Sequence, residues 1–361
     1  MSEIAMEGKQ AKKESIVELL KKLELGLVPD NEIKQLIRIE LARRLQWGYK
    51  STYEEQVAQV LNLAHSLRHM KIANEVDTLD SQVYEVSMSF LNIIFGSTMK
   101  ESCCYFKDDS VTLDDAEVAM LDLYCERAQL QDGQRVLDLG CGQGTVTLFV
   151  AEKYKNCHVT AIPNSVSQKE YIDEQCRIRN LVNVEVILAD ITTFEMDDTF
   201  DRIFVIGLFE HMKNYELLLK KISKWMTQDG LLFVDHICHK TLAYHYDPLD
   251  EDDWFTEYVF PSGTTIIPSA SFLLYFQDDV SVVNHWILSG KHLSRTHEEW
   301  LKRLDANIGA IRIMFKSLLG KEEAVLKLVN YWRGFCLSGI ELFGYNNGEE
   351  WMVSHVLFKK K

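Results

Sequence analysis

The spacing of apolar residues divides the chain into a helical first part and a later part in which strands and helices alternate. Residues 1–130 carry apolar stripes at helical spacing, with helix starts predicted at Pro29-Asp30-Asn31 and at Thr112. After a turn at 131–133, short apolar segments alternate with longer segments of helical spacing. This alternation is typical of a parallel α/β sheet with helices on its faces.

Residues 131–240 form the predicted α/β core, and 1–130 form a helical N-terminal region. The predicted strands are 135–139, 157–162, 184–189, 201–206 and 230–236, and the predicted helices lie near 145–154, 165–179 and 213–226. Residues 241–340 are expected to leave the sheet as a lid of loops and helices. Residues 341–361 are expected to complete the sheet with two strands around Asn346-Asn347-Gly348, a hairpin signal.

The loop Gly140-Cys141-Gly142-Gln143-Gly144 follows the first predicted strand and opens a helix, which indicates ligand binding. Glycines permit a tight turn and a close approach of the ligand, and the helix N–H groups face that ligand. A dinucleotide-binding loop would need a glycine at position 145, where this chain has a threonine. It would also need an acidic residue directly after the second predicted strand, and Pro163 follows that strand instead. The form Asp-x-Gly-Cys-Gly-x-Gly instead resembles motif I of the class I methyltransferases, which bind S-adenosylmethionine (SAM).

Ligands of an open α/β sheet bind at the carboxyl ends of its strands. The predicted donor contacts therefore end or follow the first four strands: Asp138, Gly140, Gly142, Asn164, Gln168, Asp190, Ile191 and Ile206. The Asp190 carboxylate could accept hydrogen bonds from the adenine amino group, and a helix N-cap is its alternative interpretation. Asn164 could equally be a turn residue.

Composition and charge narrow the classes of function. The formal net charge of −15 argues against nucleic-acid binding, and it is compatible with a cationic substrate or with solubility alone. The eight cysteines form neither a Cys-x-x-Cys pair nor a regular disulfide framework, so a reduced, cytoplasmic compartment is expected. Because the sequence has neither a signal peptide nor an apolar run of membrane-spanning length, no membrane partner is expected.

No metal cofactor is expected from the sequence. The acidic run 250–253 is typical of a solvated surface loop. The segment His236-Ile237-Cys238-His239 lacks a second pair of ligands at zinc spacing.

Glu210 and His211 follow the fourth predicted strand, where the reactive part of a bound donor should lie. A carboxylate that orients and polarises an imidazole suits general-base catalysis. The same pair could be a helix-capping glutamate beside a structural histidine. The two residues alone do not decide between these interpretations.

Several motifs spread over the chain point together to one family. They are Cys103-Cys104-Tyr105-Phe106, the glycine loop, Asn164-Ser165-Val166-Ser167-Gln168, Phe209-Glu210-His211-Met212, 236–240, 250–254, 275–286 and 347–361. From residue 45 onward the chain resembles the plant benzylisoquinoline alkaloid N-methyltransferases, above all the coclaurine N-methyltransferases, and more distantly the cyclopropane fatty acid synthases. The resemblance implies transfer of a methyl group from SAM to an alkaloid amine, a class I fold with a mobile lid, and a homodimer.

The resemblance also implies roles for individual residues. Ser102 and Tyr105 would close over the methionine end of the donor, while Gly140, Asn164, Gln168 and Ile191 contact it. The alkaloid pocket would be lined by Tyr84, Glu85, Phe260, Trp332 and Phe335. His211 matches the catalytic base of the family, and Cys336 matches a cysteine counted as active in the cyclopropane synthases.

One position departs from the family pattern. Coclaurine N-methyltransferases carry Glu-Leu-Phe-Glu-His where this chain has Gly207-Leu208-Phe209-Glu210-His211. The resemblance implies that the missing glutamate helps to hold the substrate amine and His211. Pavine-type relatives also have a small residue there, so Gly207 is expected to affect rate and substrate preference while the fold and the donor site are kept.

Two alternatives stay open at this point. One is a related N-methyltransferase that acts on pavine, protoberberine or aporphine scaffolds, or on tertiary amines to give quaternary ammonium products. The other is a cyclopropane fatty acid synthase-like enzyme or a SAM-binding protein without turnover. The acidic charge of the chain argues against a membrane lipid as substrate.

Overall fold

The computed structural model describes residues 16–73, 87–259 and 265–361. The helices before the sheet are α1 (described from 16 to 24), α2 (Asp30–Gly48), α3 (Tyr53–Leu67), α4 (Met88–Ile94) and α5 (Leu113–Arg127). Both predicted helix starts are confirmed. α2 begins directly after Pro29, and the Thr112 hydroxyl caps α5 by accepting a hydrogen bond from the Asp115 N–H.

A seven-stranded sheet forms the centre of the molecule. Its strands are β1 (Arg135–Leu139), β2 (His158–Ile162), β3 (Val184–Val186), β4 (Phe200–Ile206), β5 (Met226–His239), β8 (Val280–Leu288) and β9 (Trp351–Lys360). They lie in the order β3-β2-β1-β4-β5-β9-β8. The strands β1 to β5 are parallel, as predicted, and β9 is antiparallel to both of its neighbours.

Helices connect the parallel strands and cover the sheet. The core helices are α6 (Thr145–Lys153), α7 (Val166–Arg179) and α8 (Tyr215–Lys224), close to the predicted positions. A small two-stranded sheet of β6 (Tyr244–His245) and β7 (Ile266–Ile267) follows β5. The later helices are α9 (Trp254–Val259), α10 (Gly290–Ala306), α11 (Ile308–Leu319) and α12 (Glu322–Gly344).

The prediction that 241–340 consists only of loops and helices is wrong. Besides β6 and β7, this region contains β8, an edge strand of the main sheet. Within the described ranges β8 pairs only with β9, and the pairing is interrupted by an irregularity between Val282 and Asn284. Because an edge strand is half exposed, its apolar residues do not form the continuous run by which a buried parallel strand is recognised.

The predicted hairpin at 341–361 is also wrong. Residues up to Gly344 belong to α12, whose apolar face continues to Phe343 at helical spacing. Asn346 and Asn347 adopt left-handed backbone angles in a short 3₁₀ turn (Tyr345–Gly348) that leads from α12 into β9. The predicted turn is therefore present, but it joins α12 to β9 and not one strand to another.

The strand order reverses beside β1. The chain runs outward from β1 to β3 and then returns to β4, on the other side of β1. A crevice forms at the carboxyl ends of β1 and β4 in such a topology, and ligands bind there. Among the described residues, no helix has both the length and the apolar character needed to cross a membrane.

Candidate active site

The glycine loop at the end of β1 has a backbone that only glycine adopts easily. Gly140, Gly142 and Gly144 have φ angles of 71°, 53° and 76°. The Gly140 N–H donates to the Ile162 carbonyl at 3.0 Å, which ties the loop to β2. A Cβ at Gly144 would lie 2.7 Å from Ile172 of α7, whereas a Cβ at Gly142 would meet no atom within 4 Å in the part of the chain that the structure describes. The loop is thus packed against α7 and leaves bare backbone open at Gly142.

Asp138 supports this loop from inside the protein. Its carboxylate accepts hydrogen bonds from the Thr147 N–H at 3.0 Å and from the Thr147 hydroxyl at 2.7 Å, and it is 2% exposed. Burial raises the pKa of Asp138 to about 6, against the effect of these two hydrogen bonds. Asp138 therefore fixes the first turn of α6, and the structure gives it a positioning role where a direct donor contact was predicted.

The residues after β2 and β3 lie at the same edge of the sheet. Asn164 is exposed, and the Gln168 Oε1 atom is buried without a hydrogen-bond partner among the described residues. Asp190 is exposed, and its carboxylate accepts a hydrogen bond from the Thr192 N–H at 2.8 Å. Asp190 thus closes a local turn, and because no helix begins there its alternative interpretation as a helix N-cap is wrong. Ile191 is partly buried beside it.

A segment from the helical region, residues 98–102, crosses the start of α6. The Thr145 hydroxyl donates to the carbonyl groups of Thr98 and Met99, both at 3.0 Å. Glu117 of α5 is fully buried and accepts hydrogen bonds from the Gly96 and Thr98 N–H groups at 2.8 Å. This segment is therefore held between α5 and the glycine loop.

Ser102 is connected to the sheet through a chain of buried polar groups. Lys100 donates hydrogen bonds to the Ser102 hydroxyl and to the Tyr124 hydroxyl, the latter at 2.9 Å. Tyr124 donates to Asp235 at 2.8 Å, and His355 of β9 lies 2.9 Å from the same Asp235 oxygen. Burial alone would raise the pKa of Asp235, but His355 and Lys100 outweigh it and the pKa is lowered.

Tyr105 lies farther along the same segment. Its ring packs on that of His292 in α10, with 4.8 Å between centroids. The predicted contact of Tyr105 with the donor stays a prediction.

Glu210 and His211 lie on a 3₁₀ turn (Phe209–His211) directly beyond β4. Glu210 is 4% exposed, and its Oε1 accepts a hydrogen bond from the Ile237 N–H at 2.6 Å. Its Oε2 has no hydrogen-bond partner among the described residues, and burial raises its pKa to about 8. The expectation that Glu210 hydrogen-bonds and orients the His211 ring is therefore wrong. His211 itself is exposed.

Gly207 connects β4 to this turn. It has a φ angle of 64°, and its N–H donates to the Asp235 carbonyl at 3.0 Å. A Cβ at Gly207 would meet no heavy atom of the described residues within 4 Å. Ile206, the preceding residue, is partly buried at the end of β4.

Three of the five predicted alkaloid-pocket residues, Tyr84, Glu85 and Phe260, lie outside the described residues. Trp332 and Phe335 are neighbours on α12, with 5.6 Å between ring centroids. Trp332 is 4% exposed and packs on Phe90, whereas Phe335 is partly exposed.

Cys336 does not have the environment of a reactive cysteine. Its side chain is 1% exposed, and burial raises its pKa to about 12. The nucleophile in cysteine chemistry is the thiolate, and this group stays a thiol near neutral pH. The role suggested by the cyclopropane synthases is therefore not supported by the structure.

A separate cavity of about 280 Å³ lies on the opposite face of α12 from Trp332. Its lining includes Trp254, Tyr258, Asn330, Arg333 and Gly334. None of its lining residues belongs to the glycine loop or to the other strand ends. It is therefore not the crevice at the sheet edge.

Four polar residues that the sequence did not single out belong to this edge: Lys100, Glu101, Glu117 and Asp235. Lys100, Glu117 and Asp235 are buried charged residues, and most of their hydrogen-bond partners lie on another element of the fold. Of the four, Asp235 alone had a sequence signal, since it lies near the carboxyl end of the predicted strand 230–236, where ligands bind in such a sheet. In the described part of the chain, no group of three His, Cys, Asp or Glu side chains is arranged to hold a metal ion.

Comparison with known proteins gives consistent matches. Residues 71–322 match the family model of mycolic acid cyclopropane synthetase. The chain is 73% identical to (S)-coclaurine N-methyltransferase of Thalictrum flavum subsp. glaucum, over 99% of this chain and 100% of that protein. It is 58% identical to pavine N-methyltransferase of the same plant, again over 99% and 100% of the two chains.

A solved structure is also similar over nearly the whole length. It is a crystal structure of coclaurine N-methyltransferase bound to N-methylheliamine and S-adenosylhomocysteine. The two chains are 76% identical and superpose with a TM-score of 0.95, which covers 96% of this chain and 100% of the solved one.

Proposed function

This chain belongs to the coclaurine N-methyltransferases, within the mycolic acid cyclopropane synthetase family, and we propose that it methylates the amine nitrogen of a benzylisoquinoline alkaloid such as coclaurine. The observation that carries this proposal is the 73% identity along the full length of both chains. The class I methyltransferase fold is shared with the solved relative. The methyl donor is SAM, and S-adenosylhomocysteine is the product.

The edge of the sheet fits this donor. Bare backbone at Gly142 lets the ligand approach, and the Gln168 Oε1, which has no partner among the described residues, can accept a hydrogen bond from it. The donor supplies a methyl group on a sulfonium, which needs alignment with the nucleophile and no further activation. The residues proposed to contact it are Ser102, Tyr105, Gly140, Gly142, Asn164, Gln168, Asp190, Ile191 and Ile206, with Asp138 in support.

The acceptor must lose a proton before it can react. A secondary amine with a pKa above 7 is mostly protonated in neutral solution, and an ammonium has no lone pair. His211 is exposed directly beyond β4, so its imidazole can take this proton. Glu210 acts as a positioning residue, because its hydrogen bond to the Ile237 N–H fixes the 3₁₀ turn on β5.

The alkaloid rings are proposed to lie against the aromatic face of α12. Phe335 is partly exposed there, and Trp332 packs beside it. Tyr84, Glu85 and Phe260 complete the pocket in this proposal. Aromatic faces and a carboxylate both favour a cationic amine, the first through the ring quadrupole.

We also propose that the protein is cytoplasmic and that it forms a homodimer. All eight cysteines are unpaired in the structure, which supports a reduced compartment such as the cytoplasm. The homodimer rests on the family resemblance, and light scattering of the purified protein tests it.

A second function, methylation of tertiary amines or of a different alkaloid scaffold, is favoured by one observation. Gly207 stands where the family resemblance implies a glutamate in the coclaurine enzymes and a small residue in the pavine-type enzymes. A smaller, uncharged residue at this place leaves room for a bulkier amine.

Incubation with labelled SAM and a panel of secondary and tertiary tetrahydroisoquinolines separates the two functions. We expect a singly N-methylated product from the secondary amines, identified by mass spectrometry. Faster turnover of tertiary amines would favour the second function. Methylation of a phenolic oxygen, or no transfer to any member of the panel, would refute both.

Replacing Gly207 with glutamate should raise kcat/KM for secondary amines about tenfold and lower the stability of the protein. The left-handed φ angle of 64° costs a residue with a side chain about 1–2 kcal/mol, although the site has room for the new atoms. Enzyme assays and denaturant unfolding measure the two effects. Gly207→Ala is the control, since it shares the strain but adds no carboxylate. Equal rates for all three proteins would make the position neutral.

A further inference from the structure

The cavity of about 280 Å³ beside α12 lies between the α1–α2 turn, the start of α2, α9 and the middle of α12. Buried apolar side chains line it, including Ile37 and Leu337, which are each 1% exposed. Leu27 of the α1–α2 turn also lines it and is 66% exposed. The cavity is therefore apolar inside and reaches the protein surface at this turn.

Trp254 and Tyr258 of α9 give the cavity an aromatic wall. Their ring centroids are 6.2 Å apart, with the ring planes tilted by 54°. A Cβ at Gly334 would lie 2.6 Å from the Tyr258 ring, so this ring packs on the backbone of α12. An engineered protein cavity of about 150 Å³ holds benzene. The larger cavity here has room for an aromatic ring that carries a short polar chain.

The polar side chains of the lining use their hydrogen-bond donors within the protein. The Tyr258 hydroxyl donates to the Asn330 carbonyl at 3.2 Å, and the Ser338 hydroxyl donates to the Gly334 carbonyl at 2.7 Å. The Asn330 amide donates to the Glu24 carbonyl at 2.9 Å. The two hydroxyl oxygens can each still accept a hydrogen bond. This lining therefore favours a ligand that donates hydrogen bonds.

The charges beside the cavity favour a cation. The Arg333 Nη2 atom donates to the two Asp30 oxygens at 2.9 and 2.8 Å, and its Nη1 atom pairs with Asp305. Two carboxylates thus share one guanidinium, which leaves one negative charge over among these three groups. The α2 dipole has its positive end here, but Asp30 and Glu32 in the first turn offset it.

We propose that this cavity binds a small aromatic amine in its ammonium form, at a site separate from both the donor crevice and the proposed alkaloid pocket. The ring lies against Trp254 and Tyr258, whose aromatic faces attract a cation. The ammonium group donates to the hydroxyl oxygens of the lining and is stabilised by the Asp30 carboxylate. Binding at this site needs no methyl transfer, so it goes beyond the proposed function.

The site is connected to the proposed alkaloid pocket through α12. Gly334 contacts the Tyr258 ring, and it lies between Trp332 and Phe335 in the same helix. An amine that packs on Tyr258 therefore acts on the helix that carries the aromatic face proposed for the alkaloid.

Calorimetric titration with 2-phenylethylamine tests the site. Ile33 lines the cavity from α2 and is partly buried, so Ile33→Trp fills the space that the ring needs. Ile39→Trp is the matched control, because Ile39 lies on the same helix, outside the cavity, and is 56% exposed. We expect Ile33→Trp to remove one amine site per chain or weaken it at least about tenfold, and Ile39→Trp to match wild type within about twofold. The same number and affinity of sites in all three proteins, or no binding to wild type, would overturn the proposal.

Asp30→Asn provides a second test that does not depend on filling the cavity. The variant removes one negative charge, while Asp305 still pairs with Arg333. It should weaken 2-phenylethylamine about threefold and leave the affinity for 2-phenylethanol, an uncharged ligand of similar shape, unchanged. Equal weakening of both ligands would mean that Asp30 only shapes the cavity, and tighter binding of phenylacetate than of the amine would mean that the site selects anions. Either result would refute the proposal, whether or not the protein methylates alkaloids.

Discussion

Substitution of His211 by alanine should lower kcat for a secondary amine at least tenfold, which corresponds to about 1.4 kcal/mol of activation free energy. General bases typically contribute about 10²–10⁴-fold, and His211 is the exposed imidazole directly beyond β4. Because the side chain is exposed, its truncation should leave the fold intact. Single-turnover rates at saturating donor measure the chemical step directly.

His158→Ala provides a matched control for this variant. His158 is also exposed, but it begins β2 and so lies at the opposite edge of the sheet. Its substitution should leave the single-turnover rate within about twofold of wild type. An unchanged rate in His211→Ala, with chemistry shown to limit turnover, would remove His211 from the role of base.

Replacing Lys100 with methionine should destabilise the protein by about 1–3 kcal/mol, because the buried Tyr124 hydroxyl loses the hydrogen bond from Lys100 and Asp235 loses a nearby positive charge. Lys100 is 2% exposed and reaches Asp235 through the Tyr124 hydroxyl. The variant should also bind the donor more weakly, since Ser102 loses the hydrogen bond that fixes it. Urea unfolding and donor calorimetry measure the two effects.

A double variant distinguishes electrostatic coupling from simple loss of packing. Lys100→Met combined with Asp235→Asn should cost less than the sum of the two single changes, because neither charge is left alone. Lys224→Met, at an exposed position in α8, should change stability by no more than about 0.5 kcal/mol. Additive costs in the double variant would contradict the proposed coupling of Lys100 and Asp235.

The parallel half of the sheet and the glycine loop could be predicted because their signals are local. β1, the loop and α6 follow one another within residues 135–153, and each is recognised from a few adjacent residues. β8 could not be recognised in this way, since it is an edge strand whose pairing with β9 is decided far along the chain. The same holds for the contact of Asp235 with His355, which depends on the register of β5 and β9.

The error about Glu210 has a geometric cause. Successive residues of a 3₁₀ turn point about 120° apart, so two neighbours in sequence rarely face the same group. Glu210 points into the protein and binds the Ile237 N–H, whereas His211 is exposed. Adjacency in the sequence suggested a catalytic pair, and the turn separates the two side chains.

The position of β9 between β5 and β8 affects how the sheet can be assembled during synthesis. Both neighbours leave the ribosome well before β9, and unpaired strand edges are templates for aggregation. At about 5–20 residues per second, the stretch between β8 and β9 takes several seconds to translate. We expect the unpaired edges of β5 and β8 to be most prone to aggregation during that interval.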